Sequence, residues 1–568
     1  MSRPAAVSPL RHRLLTGGIL LGFLVLAGRV AELQLLDRDF LKHQGEARHL
    51  RTVTISAHRG MITDRNGEPL AISTPVKSVW ANPGELLPAR DQLPRLARVL
   101  GLDTDYLLRL LTRRKDREFV YLRRHISPEL AQQVLALEAP GVALQREFHR
   151  YYPAGEVTAH LIGFTNIDDE GQEGLELAYG EWLRGEPGAK RVIKDGRRHV
   201  VENVESIRPP RPGKTLELSI DRRIQYLAYR ELKAAVQQHD ARSGSVVVLD
   251  NHSGEVLALV NQPSYNPNNR RNLRAGHLRN RAVTDLFEPG SALKPFVIAA
   301  ALQSGRYRPG TRIATSPGLF QVGVHTVRDV HDYGTLDLTG VIRKSSNVAA
   351  AKIALDLEPE DFHAVLSKAG FGTSTGSGFP GEADGFLADA HRWHDIERAT
   401  LAFGYGMSTT PLQLAQAYTV FANDGYRVPV SLLKLDEPPQ VQQVLKASVA
   451  REVRRMMETV VQPGGTGTLA AVSGYRVAGK TGTVRKSEAG GYAQDRYLSV
   501  FAGMAPASRP RLVMVVVINE PRNGEYYGGK VAAPVFSRVM AGALRLLNVP
   551  PDNVPLLHTR GRSTEEPA

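Results

Sequence analysis

The sequence predicts an α+β protein with one apolar helix near its N-terminus, and three observations support this class. Two β-rich runs, residues 244–250 and 256–260, flank a turn at His252-Ser253-Gly254 and are typical of a hairpin. Another β-rich run, residues 511–519, lies much later in the chain. Because the segments between these early and late runs have helical patterns, we expect the early and late strands to form a sheet that packs against helices.

Composition limits the class of protein further. A chain of 568 residues is long enough for two or three folded regions, and 42% hydrophobic and 23% charged residues are typical of globular proteins. The net charge of +14 favours anionic partners, such as phospholipid headgroups or the acidic polymers of a cell wall. No combination of aromatic and basic residues stands out, so nucleic acid is not an expected partner. The sequence has no cysteine, which excludes disulfides, thiol catalysis and Cys-bound zinc.

The N-terminal run of residues 14–28 has no charged side chain and follows Arg3, Arg11 and Arg13. One interpretation is a cleaved signal peptide, with Val25-Leu26-Ala27 as the cleavage site. The apolar pattern continues to residue 36, however, so we predict a cytoplasmic tail of residues 1–13 and an uncleaved transmembrane anchor over residues 14–36. The arginines before the anchor predict that the rest of the chain lies outside the cytoplasm.

Three regions follow the predicted anchor. Residues 37–211, which we call the pedestal, mix a strand-like run at 50–55 with helical runs at 91–100 and 129–137, and no reaction can be assigned to them. The segment Pro209-Pro210-Arg211-Pro212-Gly213 is typical of a linker. A further folded region over residues 214–548 begins with a strand at 216–220 and a helix at 221–239, and it ends with a helix at 533–547. Residues 549–568 have the composition of a disordered tail.

Three short motifs in the region of residues 214–548 indicate that it is an enzyme. They are Ser291-Ala292-Leu293-Lys294, Ser345-Ser346-Asn347 and Lys480-Thr481-Gly482-Thr483. A second S-x-x-K at Ser431-Leu432-Leu433-Lys434 shows that such a pattern also arises by chance; that copy is expected to be a helix cap with a solvated lysine. Together, the three motifs supply every part of a serine acyl-transfer site.

The first motif predicts a nucleophile and its base. We expect Ser291 at a helix N-terminus, because Pro289-Gly290 ends the preceding segment and Pro295 is tolerated in a first helical turn. Backbone N–H groups and the helix dipole favour a developing oxyanion there. Lys294 shares a helix face with Ser291 and can take its proton, provided that the lysine is neutral. Burial or a nearby cation lowers the pKa of a lysine, and Lys480 is the candidate cation.

The other two motifs supply polar partners. Ser345 and Asn347 lie in a helical stretch and offer a proton relay and an amide that can hold Lys294 or a substrate amide, although Ser and Asn alone also cap helices. The segment from Lys480 to Thr483 follows a strand-like run at 475–478. Its cation, hydroxyls and permissive glycine suit edge-on binding of a peptide that ends in a carboxylate.

Residues 474–481 also satisfy the pattern G-x-x-x-x-G-K-[ST] of a phosphate-binding loop. Such a loop needs a helix directly after it, whereas Gly482-Thr483-Val484 does not begin a helix. The interior Tyr475-Arg476-Val477 itself favours a strand. Acyl transfer is therefore the preferred interpretation.

Taken together, these motifs resemble those of class B penicillin-binding proteins, the peptidoglycan D,D-transpeptidases, and most of all the division-specific type. The resemblance covers nearly the whole chain. Similar active-site segments are Glu288-Pro289-Gly290-Ser291 and residues 281–285, 328–334, 344–347, 370–372, 378–382, 404–406, 410–413 and 478–483, while residues 59–67 and 174–176 resemble the family's non-catalytic module.

The resemblance implies an antiparallel sheet flanked by helices, with a helical lobe. It implies that Ser291 is the acylated nucleophile, that Lys294 is its base, and that Ser345 and Asn347 are the relay and orienting pair. It also implies that Lys480, Thr481, Gly482 and Thr483 bind the substrate. The Lys480 ammonium and the two threonine hydroxyls would bind the substrate carboxylate. The backbone N–H groups of Ser291 and Thr483 would form the oxyanion hole.

The implied function is cross-linking of peptidoglycan during septal cell-wall synthesis, by a single-pass inner-membrane protein with a periplasmic catalytic domain. The implied partners are a D-Ala-D-Ala stem peptide as donor, an amine of a second stem peptide as acceptor, β-lactams as inhibitors, and a membrane glycan polymerase with other division proteins. No metal or organic cofactor is implied, and the histidine pair of His391 and His394 does not match a zinc motif. Alternatives are an elongation-type transpeptidase, a β-lactamase or D,D-carboxypeptidase, and a scaffold that activates a glycan polymerase.

Overall fold

The computed structural model describes residues 9–32, 34, 50–194, 200–271, 273–488 and 491–553. Within this part of the chain, the α-helices are α1 (Pro9–Ala31), α2 (Pro83–Leu86), α3 (Leu93–Leu100), α4 (Thr104–Arg113), α5 (Pro128–Leu135), α6 (Ala159–Ile162), α7 (Gly174–Ala178), α8 (Gly180–Leu183), α9 (Arg222–Gln238), α10 (Ala275–Leu278), α11 (Arg281–Thr284), α12 (Lys294–Gln303), α13 (Leu338–Lys344), α14 (Asn347–Asp356), α15 (Pro359–Ala369), α16 (Asp395–Leu401), α17 (Pro411–Ala422), α18 (Ala447–Glu458), α19 (Gly528–Val531) and α20 (Ala533–Leu546). Short 3-10 turns lie at Arg90–Gln92, Gly155–Val157, Gly290–Leu293, Ala390–Arg392 and Thr468–Ala470.

The strands of the described residues form several sheets. They are β1 (Leu50–Ile55), β2 (Ile62–Thr63), β3 (Pro69–Ala81), β4 (Val120–Ile126), β5 (Val142–Tyr151), β6 (Gly188–Lys194), β7 (Val200–Arg208), β8 (Leu216–Glu217), β9 (Ser243–Asp250), β10 (Val256–Gln262), β11 (Ile313–Ala314), β12 (Leu319–Val322), β13 (His325–Arg328), β14 (Thr335–Leu336), β15 (Tyr426–Arg427), β16 (Gln442–Gln443), β17 (Ala478–Glu488), β18 (Gly491–Ala505) and β19 (Leu512–Asn519). The predicted strand at 50–55 and the predicted hairpin are therefore confirmed.

The chain divides into two compact units, of which the first comprises residues 1–58 and 185–213. Its strands form a three-stranded antiparallel sheet in the order β1-β6-β7. Helix α1 contains a candidate membrane span, His12–Ala31, by length and composition. It covers most of the anchor predicted over residues 14–36, of which residues 33, 35 and 36 lie outside the described residues, as do residues 1–8 of the predicted tail.

The second unit comprises residues 59–184 and 214–568 and contains the remaining sheets. In its N-terminal part, strands β4-β3-β2-β8 form one sheet, and β5 pairs with β3. A buried ion cluster lies beside this sheet, where Glu176 accepts hydrogen bonds from Arg59 Nε at 2.8 Å and from Arg150 Nε at 2.6 Å. All three side chains are buried, so each charge depends on the others for compensation.

The sheet of β9, β10 and β17 to β19, which we call the catalytic sheet, joins strands from distant parts of the sequence, as predicted. Its order is β10-β9-β19-β18-β17, and every neighbouring pair is antiparallel. Side chains alternate between the two faces, so Val246 and Val248 of β9 join one core while Val247 and Leu249 join another. Helices α9 and α20 cover the first face, and a helical lobe that includes α12 and α17 covers the second. The predicted α+β class is confirmed.

Helix α12 is the central helix of this lobe. Its residues from Lys294 to Ala301 are all buried, as expected for a helix that is apolar around its whole circumference. Phe296 contacts the rings of Phe371, Tyr418 and Phe421, with ring centroids 4.7 to 5.8 Å apart. This packing fixes the position of the helix whose first residue is Lys294.

The chain end beyond α20 is held against the sheet as far as the structure describes it. Tyr475 Oη donates to the carbonyl of Val549 at 2.6 Å, and the Asp552 carboxylate accepts from the backbone N–H of Arg476 at 2.7 Å and of Ser508 at 3.1 Å. Most of the tail predicted to be disordered, residues 554–568, lies outside the described residues.

Candidate active site

Ser291 lies in a 3-10 turn, Gly290–Leu293, that leads directly into α12. The glycine before it has φ +56°, a conformation that favours glycine, and Pro295 occupies the first turn of the helix, where a missing N–H is tolerated. Tyr418 Oη on α17 donates to the carbonyl of Ala292 at 2.7 Å. The turn is therefore held from inside the lobe and presents Ser291 at the start of the helix.

Lys294 is fully buried and has four oxygen partners. Its Nζ lies 2.9 Å from Ser291 Oγ, 2.7 Å from Asn347 Oδ1, and 2.7 and 3.2 Å from the carbonyl and Oγ of Ser345. Burial is the main reason that the pKa of Lys294 falls well below its usual value, and the nearby Lys480 ammonium lowers it further. The lysine is therefore suited to be a neutral amine that accepts a proton from Ser291.

Ser345 differs from its predicted place inside a continuous helix. Helix α13 ends at Lys344, Ser345 has φ +62°, and α14 begins at Asn347 with Ser346 as its N-cap. A helix interior would direct the Ser345 carbonyl along the helix axis, whereas the left-handed residue turns both this carbonyl and Oγ towards Lys294. The prediction of one helix was wrong because a serine at φ > 0 carries no signal in the sequence.

Lys480 approaches the same group from the catalytic sheet. Its Nζ donates to Ser345 Oγ at 2.9 Å and to the carbonyl of Thr481 at 3.2 Å, and the side chain is fully buried. Burial lowers the pKa of Lys480 to about 7. Ser345 Oγ therefore lies between two lysines and connects them by hydrogen bonds.

Strand β17 is an edge strand, which leaves one side of its backbone open. Among the described strands it pairs with β18 alone, so its outward N–H and C=O groups are available to an extended peptide. Thr481 Oγ1 lies 2.7 Å from Thr466 Oγ1, and Thr483 Oγ1 accepts from the backbone N–H of Gly528 at 3.0 Å. Residues 478–488 form one strand, so the phosphate-binding loop that the sequence already disfavoured is excluded.

Glycines let this strand approach the Ser291 turn closely. A Cβ on Gly482 would lie 3.0 Å from the carbonyl oxygen of Pro289 and 3.2 Å from Val500 Cβ, and a Cβ on Gly290 would lie 2.4 Å from Val484 Cγ2. The backbone of β17 therefore packs directly against the turn. This close contact brings the Thr483 segment and the Ser291 segment to the same cleft.

Asp329 received no individual role from the sequence, although its segment, residues 328–334, resembles one of the family's. Its carboxylate accepts from Ser346 Oγ at 2.6 Å and from the backbone N–H of Asn347 at 2.5 Å. Thr466 and Gly528 likewise received no individual role from the sequence, although they contact Thr481 and Thr483. A polar residue in a loop has no periodic signal, so contacts of this kind become visible only in the folded structure.

The second S-x-x-K has a different environment. Ser431 Oγ donates to the carbonyl of Leu433 at 2.7 Å within a local turn, and Lys434 Nζ lies 3.4 Å from the exposed Glu217 carboxylate. It lies in a turn and not at a helix cap as expected, but its lysine is solvated as predicted. Among the described residues, no hydrogen bond joins the side chains of Ser431 and Lys434, so this pair is a natural control for Ser291 and Lys294.

The chain is similar to known proteins over most of its length. Sequence profiles of the penicillin-binding protein transpeptidase domain and the penicillin-binding protein dimerisation domain match residues 244–541 and 54–218, respectively. The peptidoglycan D,D-transpeptidase FtsI of Escherichia coli is 45% identical over 547 residues, covering 95% of this chain and 92% of that protein. FtsI of Buchnera aphidicola is 39% identical over 541 residues, covering 94% and 95%. The apo transpeptidase domain of Burkholderia pseudomallei penicillin-binding protein 3 matches with a TM-score of 0.55 and 44% identity, over 60% of this chain and 98% of that chain.

Proposed function

Because this chain belongs to the FtsI-type class B penicillin-binding proteins, we propose that Ser291 carries the acyl-enzyme of a peptidoglycan D,D-transpeptidase and that Lys294 is its base. The protein is a serine-type acyltransferase of cell-wall synthesis, and its substrates are peptidoglycan stem peptides. The observation that carries the assignment of the nucleophile is the 2.9 Å distance between Lys294 Nζ and Ser291 Oγ. A buried neutral amine at hydrogen-bond distance is what a serine hydroxyl needs to become a nucleophile.

In the acylation step, Ser291 Oγ attacks the carbonyl carbon of the bond between the two terminal D-alanines. The hydroxyl proton passes to Lys294 Nζ, which Asn347 Oδ1 and the Ser345 carbonyl keep in place through hydrogen bonds of 2.7 Å each. The backbone N–H groups of Ser291 and Thr483 stabilise the oxyanion. When the C–N bond breaks, the leaving amine of D-alanine takes up a proton through the chain of Lys294, Ser345 and Lys480.

In the second step, an amine of a neighbouring stem peptide attacks the ester carbonyl. The amine gives one proton to the neutral Lys294, and Ser291 Oγ leaves and recovers its proton from that lysine. Two covalent steps, each with the same oxyanion hole and base, replace one direct exchange of amines. Water that attacked instead of the amine would make the protein a carboxypeptidase.

Substrate binding is assigned to β17 and its surroundings. The donor peptide extends along the open edge of the strand, and its terminal carboxylate lies close to Lys480, Thr481 and Thr483. That carboxylate would favour the charged form of Lys480 and raise the lowered pKa of this lysine again. Gly482 allows the approach to the Ser291 turn described above. A β-lactam has a carboxylate and a strained amide in a similar arrangement, so it acylates Ser291 as a substrate mimic.

Labelling with a fluorescent penicillin tests the nucleophile. The full-length protein in detergent should form a stable adduct, and Ser291→Ala should form none. The matched control is Ser431→Ala, which alters the other S-x-x-K and should be labelled like wild type. Labelling of Ser291→Ala, or loss of labelling only in Ser431→Ala, would contradict the assignment.

The membrane orientation, domain division and partners are also proposed. The candidate span in α1 and the arginines before it support an anchored protein with a cytoplasmic N-terminus and a periplasmic catalytic region. The two profile matches support a division into the pedestal and an enzymatic region over residues 214–548. The FtsI relatives are named peptidoglycan D,D-transpeptidases, and this supports the proposed role in septal synthesis. A glycan polymerase and other division proteins are the partners that we propose for this role.

A further inference from the structure

Asn347 is held in one orientation by groups on both sides. Its Oδ1 accepts from Lys294 Nζ at 2.7 Å, and its Nδ2 donates to the carbonyl of Arg328 at 3.0 Å. Its backbone N–H donates to Asp329 Oδ1 at 2.5 Å. The dipeptide Arg328-Asp329 at the end of β13 therefore decides which end of the Asn347 carboxamide points towards the lysine.

The Asp329 carboxylate has three donors at the start of α14. Oδ2 accepts from Ser346 Oγ at 2.6 Å, and Oδ1 accepts from the N–H groups of Asn347 at 2.5 Å and Val348 at 3.1 Å. A carboxylate at a helix N-terminus is also favoured by the helix dipole. These bonds fix the turn that separates Ser345 from α14.

Asp329 also acts on Lys294 through its charge. Among the described residues, the charged groups that shift the pKa of Lys294 are the Lys480 ammonium, which lowers it, and the Asp329 carboxylate, which raises it. Tyr333 is a further titratable group near Asp329, and burial together with this carboxylate raises its pKa. The charges of Lys480 and Asp329 therefore shift the pKa of Lys294 in opposite directions.

We propose that Asp329 is a positioning residue for acyl transfer: it holds the Ser346-Asn347 turn so that Asn347 Oδ1 stays on Lys294, and its charge opposes that of Lys480 at the base. This inference rests on the proposed function of Lys294 as the base of Ser291. It explains why a carboxylate, and not only a neutral cap, lies at this turn.

The test is the pH profile of the second-order rate of acylation by a fluorescent penicillin, measured on the full-length protein in detergent. The rate rises with pH as the base loses its proton. Asp329→Asn keeps the size and one acceptor oxygen but removes the charge, so the pKa of Lys294 falls and the acid limb of the profile should move to lower pH by about 0.5 to 1 unit. The looser turn should also lower the plateau about tenfold.

The matched control is Asp337→Asn at the start of the neighbouring helix α13. The Asp337 side chain is exposed and accepts from the Gly340 N–H at 2.7 Å, as a helix cap that asparagine replaces equally well. This variant should keep both the limb and the plateau of wild type. A purely structural role for Asp329 would lower the plateau without moving the limb, and that result would overturn the electrostatic part of the inference.

A second variant keeps the positioning part testable if Asp329→Asn does not fold. Ser346→Ala leaves the carboxylate in place but removes its 2.6 Å partner, so the plateau should fall while the acid limb stays. An undiminished plateau would overturn the positioning role. The proposed function fails on a different result, because it requires that Ser291→Ala is not labelled, whatever the behaviour of Asp329.

Discussion

Replacement of Lys480 by methionine should make the protein more stable at neutral pH while reducing its acylation. Burial lowers the pKa of this lysine from 10.5 to about 7. At about 1.4 kcal/mol per pH unit, the buried amine costs the folded state up to about 5 kcal/mol at pH 7. Methionine has nearly the same length and no charge, and it loses hydrogen bonds to Ser345 Oγ and the Thr481 carbonyl worth about 1 kcal/mol each. The expected net gain in the free energy of unfolding is about 2 to 3 kcal/mol.

The sign of the pH dependence gives a stricter test of this reasoning. Between pH 7 and 10.5 the unfolded chain binds the proton of Lys480 more tightly than the folded protein does, so the stability of wild type rises with pH in this window. Lys480→Met lacks this group, and its advantage should shrink towards pH 10. Thermal unfolding of both proteins in detergent at several pH values measures the difference, with Lys434→Met in the solvated S-x-x-K as the control.

Acylation by penicillin should respond in the opposite direction. Without the ammonium that lowers its pKa, Lys294 holds its proton more tightly, so the acid limb of the rate profile should move to higher pH. The lost partner for the substrate carboxylate should also lower the rate at every pH. Lower stability of Lys480→Met than of wild type at pH 7, or a stability difference that stays unchanged at pH 10, would contradict the conclusion that burial of Lys480 destabilises the folded protein.

Two further substitutions test the packing around the site. Gly482→Ala places a Cβ 3.0 Å from the Pro289 carbonyl oxygen, so β17 should shift away from the Ser291 turn and the rate of acylation should fall by roughly 10- to 100-fold. The control is Gly276→Ala, whose Cβ meets nothing within 4 Å and which should be acylated at the wild-type rate. Equal acylation rates of the two variants would contradict the close packing of β17 against the turn. Glu176→Gln leaves two buried arginines uncompensated and should cost about 3 to 5 kcal/mol in thermal or denaturant unfolding. Glu68→Gln, which breaks an exposed ion pair, should cost less than about 1 kcal/mol, and similar losses in both variants would contradict the role of burial.

Much of the fold could be predicted because its elements carry periodic signals. Helix α9 lies over residues 222–238, with Asp221 as its cap, where residues 221–239 were predicted, and β19 lies within one residue of the predicted run. The expectation that β9 and β19 belong to one sheet is confirmed, and both strands have the continuous apolar sequences of strands that are buried on both faces. The order of strands in the sheet carried no such signal and had to come from the structure.

The candidate site shows the same division between local and non-local information. Ser291 and Lys294 were placed correctly relative to each other because three residues along a helix determine their separation. The distances from Lys294 to Ser345 and from Ser345 to Lys480 depend on how three separate elements pack, and no short-range pattern encodes them. The left-handed Ser345 and the carboxylate of Asp329 belong to turns, where tertiary contacts decide the conformation.

The strand order of the catalytic sheet determines when the active site can form during synthesis of the chain. The strand β9 pairs with β19, and β17, which carries Lys480, connects to them only through β18. A growing chain therefore exposes Ser291 and Lys294 long before the partners that bury them have been synthesised, and in that interval the lysine is solvated and charged. Such long-range pairing forms slowly and late. Ser291 therefore becomes a nucleophile only after residues up to 519 have been synthesised and the sheet has formed. An incomplete chain that lacks β19 should be unable to form the acyl-enzyme.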